Sequence, residues 1–253
     1  MARFDLTGKV ALVAGASRGI GEAIAHGLGE HGATVICSSR KLEACEKVAD
    51  DMRAKGLKAE ALQLHLGELA DHDTAMAAIE KNHGRLDILI NNGATNPYMG
   101  LAHEAPEAAY DKTFDVNLKG PYYLTSKAMP MLMADGGGAV VNVASIDGIK
   151  PGPLRVIYGM TKAGLIAMTK GMAREYSPKG VRVNALLPGF TDTRLASALK
   201  QDPRMQRYME EQLSIQRMAQ PDEMVGAVLF MVSDAGSYFT GQGMVVDGGA
   251  VIS

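Results

Sequence analysis

Tyr158 and Lys162 stand four residues apart in Tyr-Gly-Met-Thr-Lys, inside a stretch, 155–177, whose pattern predicts a helix. On a helix that spacing stacks a phenol above an ammonium on one face. A free tyrosine titrates near about 10, so only about one phenol in a thousand is ionised at neutral pH. A neighbouring ammonium favours the phenolate and draws the group toward working pH, where general acid or base catalysis contributes about 10² to 10⁴ in rate. Taken alone, the pair also reads as a surface Tyr and Lys one helical turn apart. Its company argues otherwise. The run Gly137-Gly-Ala-Val-Val-Asn-Val-Ala-Ser145 predicts a short buried strand ending in a hydroxyl, and ligands of open α/β sheets sit at the carboxyl ends of strands. Ser145 would there donate a hydrogen bond to a substrate oxygen beside the Tyr158 phenol.

A second constellation lies near the amino terminus. The apolar run 9–14 leads directly into Gly15-Ala-Ser17-Arg18-Gly19-Ile20-Gly21 and then into a helical pattern. Strand, glycine loop and helix in that order form a phosphate-binding turn: Gly15 permits the tight turn, Gly19 and Gly21 permit close approach, and an anion meets the helix amides. The next strand, within 33–41, exits at Ser39-Arg40. No acidic residue precedes Glu43 there to accept from an adenosine 2′-hydroxyl, whereas Arg40, with Arg18 in the loop, suits a 2′-phosphate. The expected cofactor is NADP(H) rather than NAD(H).

The remaining elements must hold these two constellations together. Helical patterns at 41–55 and 68–82 alternate with strands at 58–64 and 86–94. A long helical region, 106–134, is interrupted at Gly120-Pro121 and carries Asn117, and a sixth strand at 181–187 ends in Pro188-Gly189. A last helix begins at Pro221, and 244–249 closes the sheet. This alternation predicts one α/β domain over 1–253, a doubly wound parallel sheet with helices on both faces. Between the sixth and seventh strands, 190–218 reads as a helical insertion acting as a substrate lid, with Leu195, Leu199, Met205, Met209 and Leu213 at helical spacing and Asp202-Pro203 as a helix start. Loops 94–103, 146–157 and 190–218 would line the substrate site, with Met99, Leu154, Phe190, Leu195 and Met209 as apolar walls; Arg194, Arg204 and Arg207 are candidates for an anionic tail.

Composition narrows the classes. Of 253 residues, 47% are hydrophobic and 21% charged, and the formal charge is −2 with Lys and Arg scattered, so nothing marks a nucleic-acid or membrane surface. Cys37 and Cys45 are too few for a disulfide framework, which points to reduced thiols in a cytoplasmic protein. The six histidines show no metal-binding pattern.

Together these motifs resemble the short-chain dehydrogenase/reductase family, from Gly8 to Gly249, in particular its NADP-dependent carbonyl reductases and 3-oxoacyl-acyl-carrier-protein reductases. The glycine loop has the family's G-x-x-x-G-x-G spacing, with Ala14 where Thr is usual; Asn91-Asn92-Gly93-Ala94 resembles the N-N-A-G turn with Gly and Ala exchanged; Met244-Val-Val-Asp-Gly-Gly249 matches the terminal V-D-G-G. The resemblance implies a seven-stranded Rossmann sheet in the order 3-2-1-4-5-6-7 and hydride transfer between nicotinamide and a carbonyl or secondary alcohol. It assigns catalysis to Asn117, Ser145, Tyr158 and Lys162, with Asn117 holding a water that links the lysine to solvent. Lys162 would also bind the nicotinamide ribose, beside Tyr158. Around the cofactor it places Gly15, Ser17, Arg18, Gly19, Ile20, Gly21, Ser39, Arg40, His65, Leu66, Asn92, Gly93, Ala94, Pro188, Gly189, Thr191 and Thr193; His65 stands where Asp is common. It further implies a homo-oligomer, a tetramer or dimer, built on the helices of 106–134 and 155–177. The expected substrate is a medium-sized, largely apolar ketone or aldehyde, with 3-oxoacyl thioesters as the alternative. A non-catalytic dinucleotide-binding regulator on the same fold is the rival from another class.

Overall fold

The computed structural model describes residues 2–193, 207, 209–211 and 213–252. Seven parallel strands form one sheet in the order β3-β2-β1-β4-β5-β6-β7: β1 Val10–Ala14, β2 Thr34–Ser39, β3 Ala59–Gln63, β4 Ile88–Asn91, β5 Ala139–Val143, β6 Arg182–Pro188 and β7 Gly243–Val246. Strand β1 reads Val-Ala-Leu-Val-Ala and is buried throughout, as a central parallel strand covered on both faces must be.

Side chains along β1 alternate between two cores. Ala11 and Val13 join the core under α1 (Gly19–Glu30), α2 (Leu42–Ala54) and a late helix, α7 (Val225–Val232). Val10, Leu12 and Ala14 join the opposite core, under α3 (Leu69–His83), α5 (Gly120–Met133) and α6 (Val156–Tyr176). Connections through helices therefore cover both faces, and every strand finishes at the same edge. A buried polar ladder ties the middle of that edge to the helices. Asn91 Nδ2 donates to Thr125 Oγ1 and to Asn142 Oδ1, each at 2.8 Å, and Asn142 Nδ2 donates to Thr169 Oγ1 at 2.9 Å. Each such bond is worth about 1 kcal/mol net, but a member left unpaired in this setting costs about 1–3 kcal/mol.

The long helical region differs from the sequence expectation. It does not break at Gly120-Pro121; α4 (Glu107–Phe114) runs into a π turn, Asp115–Lys119, and α5 begins at Gly120. Gly120 N–H reaches the Asp115 carbonyl, five residues back, which widens the turn just before Pro121, a residue with no N–H to give. The π turn rotates Asn117 inward, where it is fully buried. Gly120 is required by space, since a Cβ there would lie 2.1 Å from the Leu66 carbonyl oxygen. Gly120→Ala is expected to lower stability by about 1–3 kcal/mol in urea unfolding, the usual scale of overpacking; an unchanged midpoint would mean the turn yields freely.

Candidate active site

The carboxyl ends of the strands open into a cleft of about 1110 Å³. Its walls at one end come from the β1 exit. Gly15 has φ 97°, and a Cβ on it would lie 2.5 Å from Gly93 N, so loop and β4 exit pack backbone on backbone. The Gly-Ala exchange at 93–94 suits this contact. A Cβ at Gly93 would lie 2.6 Å from Leu66 Cδ1, the movable end of a side chain that would have to shift to admit it. Nor does Ala14 leave the strand end loose, because its carbonyl accepts from both Asn92 N (2.9 Å) and Gly93 N (2.8 Å).

Arg18, at the N-cap of α1, makes no side-chain cap, so the first-turn amides of this 12-residue helix keep the unsatisfied donors that suit a phosphate. Arg18 and Arg40 are exposed on the cleft, and neither guanidinium is paired among the described residues. Six basic side chains line the cleft (Arg18, Arg40, Lys41, Lys112, Arg155 and Lys162) against the carboxylates of Asp147 and Asp192. A dinucleotide polyanion fits this bare glycine cradle and positive rim.

Of the cofactor residues expected from sequence, Gly15, Ser17, Arg18, Gly19, Ile20, Ser39, Arg40, His65, Leu66, Asn92, Gly93, Ala94, Tyr158, Lys162, Pro188, Gly189, Thr191 and Thr193 all line the cleft. Gly21 lies beneath it, where a Cβ would meet the Gly15 carbonyl oxygen at 2.1 Å; its part is close packing of α1 on the loop. Asn91 braces the sheet, whereas Asn92 lines the cleft and donates to Gly15 O at 2.8 Å.

At the other end, Ser145 follows β5, and Tyr158 and Lys162 project from the first turns of α6. Lys162 is 2% exposed, and its Nζ donates to Val143 O at 2.7 Å, leaving other ammonium hydrogens uncommitted. The same Nζ stands 5.4 Å from the Tyr158 ring centroid. Ser145 Oγ accepts from Asp147 N at 3.1 Å, and the same hydroxyl is hydrogen-bonded to the Tyr158 phenol, so the two groups face each other on the cleft. Asn117 lies behind this row: its Oδ1 accepts from Thr95 N and its Nδ2 donates to Thr95 O, both at 2.8 Å, and Nδ2 also reaches Thr161 Oγ1 at 3.3 Å. It clamps the β4 exit loop onto α6.

Electrostatics depart from the simple sequence argument. Burial, and then the Asp147 carboxylate, push the Tyr158 phenol above its ordinary value, while the Ser145 side chain and the Arg155 charge pull it partly back. Lys162 does not offset this, since burial lowers its own pKa to about 7, with Asp147 opposing. Burial thus favours the neutral form of both groups, the phenol by raising it and the amine by lowering it to about 7.

Asp147 and Arg155, which no motif in the sequence marks, also line the cleft, while Leu154, expected as a wall, is exposed and does not. The available signal was an acid two residues after Ser145 and a base three before Tyr158. Met99 and Phe190 are on the walls as expected, Leu213 is buried, and Arg207 is exposed. Arg194, Leu195, Leu199, Asp202, Pro203, Arg204 and Met205 lie outside the described residues. Among the described residues, no group of three or more His, Cys, Asp or Glu could hold a metal, and no helix is long and apolar enough to cross a membrane.

Comparison with known proteins agrees with this geometry. A family model described as enoyl-(acyl carrier protein) reductase matches residues 15–251. Dehydrogenase/reductase SDR family member 4 of Homo sapiens is 38% identical over 247 residues, covering 98% of this chain and 89% of that protein. A gluconate 5-dehydrogenase from Burkholderia cenocepacia, solved in complex with NADP and tartrate, superposes with TM-score 0.96 at 30% identity over 99% of this chain and 98% of that one. A putative NAD(P)-dependent gluconate 5-dehydrogenase from Beutenbergia cavernae with bound NADP gives 0.95 at 33% identity, over 99% of each chain. The chain belongs to the short-chain dehydrogenase/reductase family of oxidoreductases.

The buried amine has a measurable signature. Unfolded, Lys162 regains its ordinary value of 10.5, so between about 7 and 10.5 the unfolded chain binds more protons and this residue's burden on stability shrinks as pH rises. The stability of Lys162→Met relative to the parent is therefore expected to fall as pH rises from about 7 toward 10, because only the parent is relieved of a buried charge over that range. A gap independent of pH, by thermal unfolding, would contradict the lowered value.

Proposed function

We propose that the protein is an NADP(H)-dependent oxidoreductase acting on a carbonyl or secondary alcohol of medium size and largely apolar character. The observation that carries this is the convergence of Ser145, Tyr158 and Lys162 with the glycine-loop set on one cleft at the carboxyl ends of the strands. The nicotinamide, when bound, supplies or receives the hydride at the substrate carbon. Tyr158, protonated in the resting site, gives its proton to the carbonyl oxygen during reduction and takes it back in oxidation. Ser145 donates a hydrogen bond to the same oxygen and holds it beside the phenol. Lys162 binds the ribose hydroxyls and, in its protonated form, places positive charge beside the phenolate as it develops. Asn117, tied to Thr95 and Thr161, holds the relay side of α6 in register and sustains proton supply to the lysine.

NADP over NAD is supported by the unpaired Arg18 and Arg40 and by the absence of a carboxylate at the end of β2; the two gluconate 5-dehydrogenases above were solved with NADP. Met99, Ile146 and Phe190 supply the apolar walls. Reduction of 3-oxoacyl thioesters is the second reading, favoured by the acyl-carrier-protein description of the matching family model. We also assign a homo-oligomer joined through α4, α5 and α6, whose Tyr110, Tyr122, Tyr123 and Met160 are exposed apolar groups. The buried thiols Cys37 and Cys45 suit a reducing, cytoplasmic setting.

Screening carbonyls, alcohols and acetoacetyl thioesters by absorbance with both cofactors tests the reading. NADPH should exceed NADH in kcat/KM, and Arg40→Leu should shrink that ratio by about tenfold or more, the scale of one charge-assisted contact. A parent enzyme preferring NADH would refute the cofactor assignment. Tight NADPH binding with no turnover on any substrate would favour a dinucleotide-binding regulator.

A further inference from the structure

Hydride transfer makes no use of one ion pair at the catalytic end of the cleft. Asp147, 3% exposed, accepts from Gly152 N at 3.2 Å through Oδ1 and faces Arg155 NH1 at 2.9 Å through Oδ2. Buried pairs of this kind are weak contributors to stability by themselves, because desolvation offsets the attraction. Arg155 is also under-used by its partner. A guanidinium carries five N–H donors, yet among the described residues only NH1 is paired, and the residue lines the cleft with Ser145 and Tyr158.

The surrounding loop is shaped to hold that guanidinium. Gly152 leaves room for it, since a Cβ there would lie 2.5 Å from Arg155 NH2. Leu154 adopts φ 65°, a left-handed conformation for which a non-glycine residue gives up about 1–3 kcal/mol. Its carbonyl accepts from Gly100 N at 3.0 Å, tying the strained turn to the loop that follows β4. The outcome is that apolar Leu154 is turned out to 40% exposure while charged Arg155 is turned toward the cleft, the reverse of what an apolar wall needs. An apolar substrate group set against Arg155 would strip water from its open donors and return nothing. Two open donors on a planar fork match a carboxylate.

We infer that Arg155, held by Asp147 and given room by Gly152, determines specificity by receiving a carboxylate that the substrate carries within a few bonds of its reacting carbonyl. This rests on the functional reading above and sharpens it: the substrate is an oxo acid, or the matching hydroxy acid, with an apolar remainder against Met99, Ile146 and Phe190.

The test is NADPH-dependent reduction of 2-, 3- and 4-oxo acids against their methyl esters and the plain ketones of equal length. At least one acid should exceed its ester by about tenfold or more in kcat/KM, chiefly through KM, and Arg155→Met should bring that ratio close to one. The ratio is the informative readout. Loss of Arg155 also alters the field at Tyr158, which slows acid and ester alike and cancels between them. The double variant Asp147→Asn/Arg155→Met, which leaves no unpaired carboxylate, and Gly152→Ala, which displaces the guanidinium while retaining its charge, should show the same collapse, each checked for folding by NADPH binding. Esters reduced as well as acids throughout by the parent enzyme, or an acid preference surviving in variants that bind NADPH, would overturn the role of Arg155 and leave the oxidoreductase reading intact. No turnover of acids, esters or ketones with NADPH bound would overturn that reading and this inference together.

Discussion

Lys162 has left bulk water to donate to Val143 O at 2.7 Å, and the positions of its neighbours follow from that bond. The bond spans from the second turn of α6 to the last residue of β5, so it fixes the helix carrying Tyr158 against the strand leading to Ser145. An amine buried this deeply is held only because a carbonyl accepts from it and because the sheet edge around it is rigid. That rigidity has identifiable sources. The Asn91, Thr125, Asn142 and Thr169 ladder locks β4 and β5 to α5 and α6, and Asn117 locks the β4 exit loop to α6 through Thr95 and Thr161.

Two charge environments share the cleft. The open, cationic end at Arg18 and Arg40 stays exposed, as suits a ligand that brings its own phosphates. At the enclosed end, burial dominates: it raises Tyr158 and brings Lys162 to about 7. A phenol kept protonated is matched to proton donation, the step that carbonyl reduction requires. The Asp147 and Arg155 pair modulates this end from the side, with opposite effects on the phenol.

Most of the frame was legible in the sequence because its signals are local. The apolar runs bounded by Gly and Pro marked the strands, and the helix predicted at 155–177 is found at Val156–Tyr176. The glycine loop was legible by its spacing, and all but Gly21 of the expected cofactor residues line the cleft. What could not be read depends on tertiary contact. The π turn at Asp115–Lys119 leaves no mark distinct from an ordinary helix, and Gly120-Pro121 looked like a break because the space against Leu66 O is invisible in sequence. The direction of the Tyr158 shift was missed for the same reason: spacing shows which charges are adjacent, whereas enclosure decides whether they survive as charges. The pairing of Asp147 with Arg155 has no sequence signature, since it depends on a chain path that includes the left-handed turn at Leu154.

The central claim is that one phenol carries the proton while the amine one turn away supports it. Tyr158→Phe removes only the hydroxyl, so turnover and NADPH binding measured on the same purified variant separate chemistry from folding. The account predicts a fall in kcat of about 10² to 10⁴ or more with NADPH affinity nearly unchanged. Turnover retained at the parent level would contradict it.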